Sequence, residues 1–228
     1  MGQTGSSKAR GVGVNLTELC GGIRLNVVNQ SSGPFTEPAA GAAVQEVLAT
    51  DLWKDQRTVV HVMRRFGCPL CRNAAAEIAS IKPILDRHNV RLVGVGLGYN
   101  SLDGFVESGV WKGLELYVDV GKKMYAALGL GQGGLRMLLD KEVRAKNAQA
   151  NARGVGGNLS GDGMQLGGEY VVAKGGQVLY EYQQRNFGDH SSPSDLLKAL
   201  GLEAEIPNIP KQEPKVAEAC RSKQECQS

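Results

Sequence analysis

The sequence predicts an α/β fold, a central mixed β-sheet flanked by helices on both faces, and three observations predict it. Strand-like and helix-like patterns alternate along much of the chain. The β-branched run Thr58-Val59-Val60-His61-Val62-Met63 has the unbroken apolar character of a strand buried on both faces. The alternation then finishes in a hairpin and a helix, which sets an antiparallel pair beside parallel strands.

Ile23 to Val28 alternates weakly and reads as a first strand, followed by the turn-rich stretch Ser31 to Pro38. Val44, Val47 and Leu48 recur at helical spacing. After the β-branched run, Cys71, Ala74, Ala75, Ile78, Ile81 and Leu85 form one helical stripe that ends near His88-Asn89. Pro83 falls inside that stripe, where its missing N-H should kink or shorten the helix. Val90 to Val95 and Leu114 to Val120 read as strands, and Lys122 to Leu128 as a helix closed by Gly129. The glycine-dense Gly154 to Gly168 reads as a long loop. Tyr170 to Ala173, the turn Lys174-Gly175-Gly176-Gln177 and Val178 to Tyr182 spell a hairpin. A last helix fits Pro193 to Leu200, with Ser192 as its N-cap.

These elements divide the chain into a flexible N-terminal extension over 1–19, one folded domain over 20–205, and a tail over 206–228 whose prolines and charges cannot bury enough surface to order it. At 228 residues, 42% hydrophobic and 21% charged, the chain is of ordinary globular composition. The net charge of +3 is small and evenly spread, so no nucleic acid partner is expected. Five cysteines at irregular spacing, a polar start from Met1 to Arg10 and no apolar stretch of membrane-spanning length point to a reducing, cytoplasmic setting. There the sequons at Asn15, Asn29 and Asn158 carry no meaning. Met1-Gly2 with Ser6 fits the N-myristoylation pattern, and Lys8 and Arg10 would add weak attraction to an anionic membrane. A plain Gly/Ser tail is the preferred reading of that stretch.

The chemistry concentrates at Cys68-Pro69-Leu70-Cys71, which follows the buried strand and opens a helix. Cys68 falls at the helix N-terminus, where unpaired N-H groups and the macrodipole favour a thiolate. Cys71 falls one turn further on the same side, close enough to close a disulfide and more sheltered. Pro69 suits the first turn, and Arg64, Arg65 and Arg72 should lower the thiolate pKa. Cys68 is therefore assigned as nucleophile and Cys71 as resolving thiol, with Phe66 and Gly67 giving a small apolar wall and room for substrate.

Competing readings are weaker. A zinc site would need Cys220 and Cys226, which have five residues between them and lie within a tail. A Cys-His hydrolase would need His61, His88 or His190, of which His61 lies in the buried strand and His88 at the far end of the helix. Gly129-Leu130-Gly131-Gln132-Gly133-Gly134 fits the dinucleotide fingerprint in form but follows a helix, and Gly94, Gly96 and Gly98 lack its third glycine, so both clusters are read as turns. No bound cofactor and no metal are expected. Cys20, Cys220 and Cys226 are taken as ordinary thiols.

Arg64-Arg65-Phe66-Gly67-Cys68-Pro69-Leu70-Cys71-Arg72 resembles the active-site segment of the prostamide/prostaglandin F synthase family, a peroxiredoxin-like branch of the thioredoxin superfamily. Arg91 to Gly96, Gly157-Asn158-Leu159-Ser160-Gly161-Asp162, Gly167-Gly168 before Val171-Val172, and Lys174-Gly175-Gly176 are similar to the family in the same order, over about residues 42 to 203. The resemblance implies a thioredoxin-like (peroxiredoxin-like) fold with Gly167-Gly168 where thioredoxins place a proline. It also implies reduction of the endoperoxide of prostaglandin H2 or prostamide H2, with NADPH as ultimate electron donor through thioredoxin. Two alternatives keep the same thiols: a peroxidase or disulfide reductase acting on hydroperoxides or protein disulfides, and a membrane-anchored adaptor whose cysteines sense redox state.

Overall fold

In this computed structural model the described residues are 13–32, 35–39, 41–134, 137, 141–152, 156–158 and 161–210. The expected lipid site at Gly2 and the thiols of Cys220 and Cys226 lie outside them. The described elements run α1 (Leu16–Leu19), β1 (Arg24–Val27), β2 (Glu46–Leu48), a 3-10 helix (Ala49–Leu52), β3 (Thr58–Val62), α2 (Pro69–Ala79) and α3 (Lys82–Arg87). They continue with β4 (Arg91–Gly96), α4 (Leu102–Glu107), β5 (Glu115–Val118), α5 (Lys123–Ala127), α6 (Lys141–Ala152), β6 (Gly168–Val172), β7 (Val178–Gln183), α7 (Pro193–Ala199) and a 3-10 helix (Glu203–Asn208).

The strands form one sheet in the order β2-β1-β5-β4-β3-β6-β7. β3, β4 and β5 are parallel, with Val60 opposite Val93 and Val95 opposite Tyr117. β1 and β6 flank them antiparallel, and β2 and β7 extend each edge. Every residue of β3 is buried, as a central strand with both faces covered requires. One face packs Val60, Val62, Val93 and Val95 against α1 and α5 through Leu16, Met124 and Tyr125. The other packs Val59, Met63 and Leu92 against α2, α3, α4 and α7 through Ile78, Leu85, Phe105 and Leu196. Each such side chain contributes ~1.5–3 kcal/mol when fully buried. The mixed sheet with helices on both faces agrees with the sequence.

Pro83 acts as its chemistry dictates. The expected single helix divides into α2 and α3, with the proline in the first turn of α3, where no N-H is needed. Ser192 caps α7 by accepting from the Asp195 N-H at 3.2 Å, and Asp195 closes a reciprocal capping box.

Other expectations need correcting. Val47 and Leu48 lie in the short edge strand β2, not a helix, because pairing with β1 overrides the local spacing. Gly94 and Gly96 are inside β4 and are not turns: a Cβ at Gly96 would drive into the Phe66 ring and one at Gly94 into the Met63 methyl, so both strand positions must lack a side chain. Gly129 to Gly134 is also more than a turn, since Leu166 donates to Gly131 O at 3.0 Å and Gly133 to Met164 O at 2.6 Å. The chain is already packed before residue 20: Leu16 is buried, and Asn15 bridges to Gln177. Nor does order end at 205, since Ile206 and Ile209 pack against the core.

Candidate active site

Strand β3 delivers the chain, through Met63 to Gly67, to the N-terminus of α2. Tyr125 ties this approach to the sheet, its hydroxyl donating to Met63 O at 2.6 Å. Phe66 fills the space left by Gly96 and lies 4.9 Å from the Phe105 ring. It is fully buried, so it belongs to the core and is not the substrate wall expected from sequence.

Cys68 is the N-cap residue of α2 in extended conformation, with Pro69 in the first helical turn. Cys71 follows within the helix, and both cysteines are free thiols. Both are buried, 3% and 5% exposed. Arg64 donates from Nη2 to Cys68 Sγ at 2.8 Å and from Nη1 to Gly163 O at 2.9 Å, with its guanidinium 4.6 Å over the Phe187 ring.

These contacts divide the two thiols. A hydrogen bond from the Cys71 thiol holds Cys68 well below the usual thiol range; burial opposes this, and the charges of Arg64 and Arg65 reinforce it. Cys71 is pushed well above that range by the same hydrogen bond, by burial and by the neighbouring Cys68 charge. The pair thus divides a proton unequally, the ionised form being favoured at Cys68 and the protonated form at Cys71. Such a pair can supply a nucleophile beside a proton donor.

Arg72 interacts with both thiols through its charge, as expected, and has a second part as well. Its Nε donates to Phe66 O at 2.8 Å and its Nη1 to Gly156 O at 3.0 Å, so it ties the turn before Cys68 to the segment that covers it. That cover lies close. The Asn158 N-H donates to Gly67 O at 2.6 Å and Ser101 donates to Asn158 Oδ1 at 2.9 Å. A Cβ at Gly157 would strike Gly67 O and Pro69. Gly67 is therefore covered, and it does not leave room for substrate. On the sheet side Gly167 approaches the backbone of Val62 and Arg64 so closely that a Cβ would collide with Val62 O.

The other residues weighed from sequence lie elsewhere. His61 Nδ1 pairs with Glu169 Oε1 at 3.1 Å inside the sheet, His88 pairs with Glu205, and His190 with Glu77. Cys20 is buried, and burial together with Asp119 raises its pKa to about 11. Among the described residues no group of His, Cys, Asp and Glu is arranged to hold a metal, and no helix is long and apolar enough to cross a membrane. Sequence reasoning missed Phe187 and Gly163, which meet Arg64 only through the fold. Asn158 had a signal, since it lies in the Gly157 to Asp162 block.

Comparison with known proteins places this geometry. The AhpC/TSA antioxidant enzyme family model matches residues 77–186, starting after both cysteines. Among solved structures, a PrxQ mutant from Xylella fastidiosa aligns with TM-score 0.52 at 12% identity, covering 86% of this chain and 96% of that one. AhpC from Mycobacterium tuberculosis aligns at 0.50 and 10% identity over 88% and 98%. These likenesses establish the peroxiredoxin-like, thioredoxin-like fold. The bovine prostamide/prostaglandin F synthase is 45% identical over 68% of this chain and 80% of its own length. The human protein of that name is 42% identical over 68% and 80%, and the zebrafish (Danio rerio) one 36% over 85% and 91%. With identity at that level over most of both chains, and a fold that presents a polarised thiol pair, this chain belongs to the prostamide/prostaglandin F synthase family and is a thiol oxidoreductase.

Proposed function

We propose that the chain reduces the endoperoxide of prostaglandin H2 or prostamide H2 to the F-series product through a dithiol/disulfide cycle of Cys68 and Cys71. The observation that carries this reading is the 2.8 Å contact from Arg64 Nη2 to Cys68 Sγ, which keeps a thiolate ready beside a protonated Cys71. The Cys68 thiolate attacks one peroxide oxygen: an S-O bond forms, the weak O-O bond breaks, and the departing alkoxide takes a proton. Arg64 is the cation next to that developing charge. Cys71 then attacks Cys68 sulfur, forming S-S and releasing the second oxygen as a hydroxyl. The substrate gains two electrons, and the disulfide is returned to the dithiol by exchange with thioredoxin, itself reduced by NADPH. NADPH acts through that relay and is not bound by this chain. A cytoplasmic setting suits such a cycle.

The experiment is NADPH consumption in the presence of thioredoxin and its reductase, with prostaglandin H2 as substrate. Turnover that disappears in Cys68→Ser is expected; no turnover of the endoperoxide overturns the reading. The match to the AhpC/TSA model favours a second reading, reduction of simple hydroperoxides, and hydrogen peroxide in the same assay separates the two.

A further inference from the structure

Beside the thiols lies a third apolar cluster, distinct from the two faces of the sheet: buried Val143, Leu166 and Phe187, with Leu70, Met137 and Met164 partly buried against them. It begins inside the active-site motif at Leu70. It ends at Phe187, whose ring carries the guanidinium that holds Cys68. Several chain neighbours of Cys68 are already engaged elsewhere. Asn158 and Gly157 press on Gly67 and Pro69, Gly167 lies against the strand backbone, and Phe66 is locked into the core. Among the described residues this cluster brings apolar side chains from outside the two faces of the sheet up to the thiol motif. Two of its members are methionines, whose unbranched, polarisable side chains change rotamer at little cost and adapt to irregular apolar ligands.

We propose that this cluster is the binding site for the alkyl chain of the substrate, with Met164 and Met137 as the side chains that move to admit it, so that a chain-bearing molecule is presented to Cys68 with its polar reacting atoms at Arg64. The proposal rests on the reduction of a lipid endoperoxide put forward above and adds where the lipid lies and which residues select it. Leu70 then contacts the chain, while Phe187 links chain to charge: its ring carries the Arg64 cation and is itself a member of the apolar cluster.

A stoichiometric reaction tests this without requiring turnover. The rate of Cys68 alkylation is measured with iodoacetamide and with its N-octyl derivative, in the wild type, in Met137→Gln/Met164→Gln and in Met137→Leu/Met164→Leu, each checked for an unchanged thermal transition. The wild type should prefer the octyl reagent by about tenfold, the scale on which an apolar pocket distinguishes added methylenes. The glutamine pair should reduce that preference, read as the ratio of the two rates, to about twofold or less, and the leucine pair should keep it. Equal rates for the two reagents in the wild type, or a preference that survives the glutamine pair, overturns the proposal. If the preference behaves as expected and prostaglandin H2 is not turned over, the chain site stands and the endoperoxide reading falls.

Discussion

Arg64 Nη2 lies 2.8 Å from Cys68 Sγ, and the same guanidinium donates to Gly163 O from its other terminal nitrogen, so one side chain joins the nucleophile to the segment that runs past it. A charge-assisted hydrogen bond of this kind is worth about 1.5–3 kcal/mol. Arg64→Gln should therefore raise the Cys68 pKa. The direction follows from the charge: the thiolate is the form that Arg64 favours, so its loss moves the acid limb of the alkylation rate to higher pH. Thiolate absorbance against pH measures it, and an unmoved limb removes Arg64 from the site.

Cys71 has a double role that two substitutions separate. Cys71→Ser keeps an O-H donor toward Cys68, whereas Cys71→Ala removes it. Both should stop cycling after one turnover, because no resolving thiol remains. Only Cys71→Ala should also raise the Cys68 pKa, since the Cys71 hydrogen bond is the largest influence holding it down. Stopped-flow alkylation across pH checks the second effect, and dimedone trapping of oxidised Cys68 checks the first.

Cys20 gives a stability prediction at high pH. Its ordinary value is 9.0 and burial lifts it to about 11. Below 9.0 the folded and unfolded chains both keep the proton; between the two values only the unfolded chain loses it, so stability falls as pH rises across that window. Cys20→Ala should flatten this alkaline decline in urea titrations, and an unchanged slope would show that the thiol ionises freely in the fold.

His61 and Glu169 form a buried pair across β3 and β6, and Glu169 also accepts from the Ser191 N-H at 3.1 Å. Glu169→Ala should cost about 3–5 kcal/mol, because partners in the interior lose their acceptor. His61→Leu/Glu169→Leu should cost much less than the sum of the single changes, a coupling that a double-mutant cycle by denaturant unfolding reads directly.

The parts of this molecule that were legible in its sequence are those governed by nearest neighbours. The apolar run of β3, the hairpin turn around Gly175, the Ser192 cap and the break at Pro83 each depend on residues a few positions apart, and each occurs in the fold. The cysteine pair was legible for the same reason. What escaped depends on distant partners. Helix α6 is built mostly from charged, amide and alanine residues, with Val143 as its one large apolar side chain, and so shows no apolar stripe. Helix α4 is six residues with Gly104 in its interior. Gly94 and Gly96 look like turn residues until Met63 and Phe66 are brought against them. The meeting of Arg64 with Phe187 spans more than a hundred positions, and no local spacing encodes it.

The tie between the amino end and the hairpin bears on how this enzyme can be handled. Val178 donates to Val14 O at 3.0 Å, Leu16 to Gly176 O at 2.8 Å, and Thr17 Oγ1 both donates to Gly175 O and accepts from the Trp53 indole. Because β6 runs antiparallel to β3, with Val172 opposite Thr58, that turn sits at the pole of the sheet away from the end of β3 that leads to Cys68. An anchor, label or solid support joined ahead of Val14 would thus be attached near the pole of the sheet opposite the one that leads to the thiols.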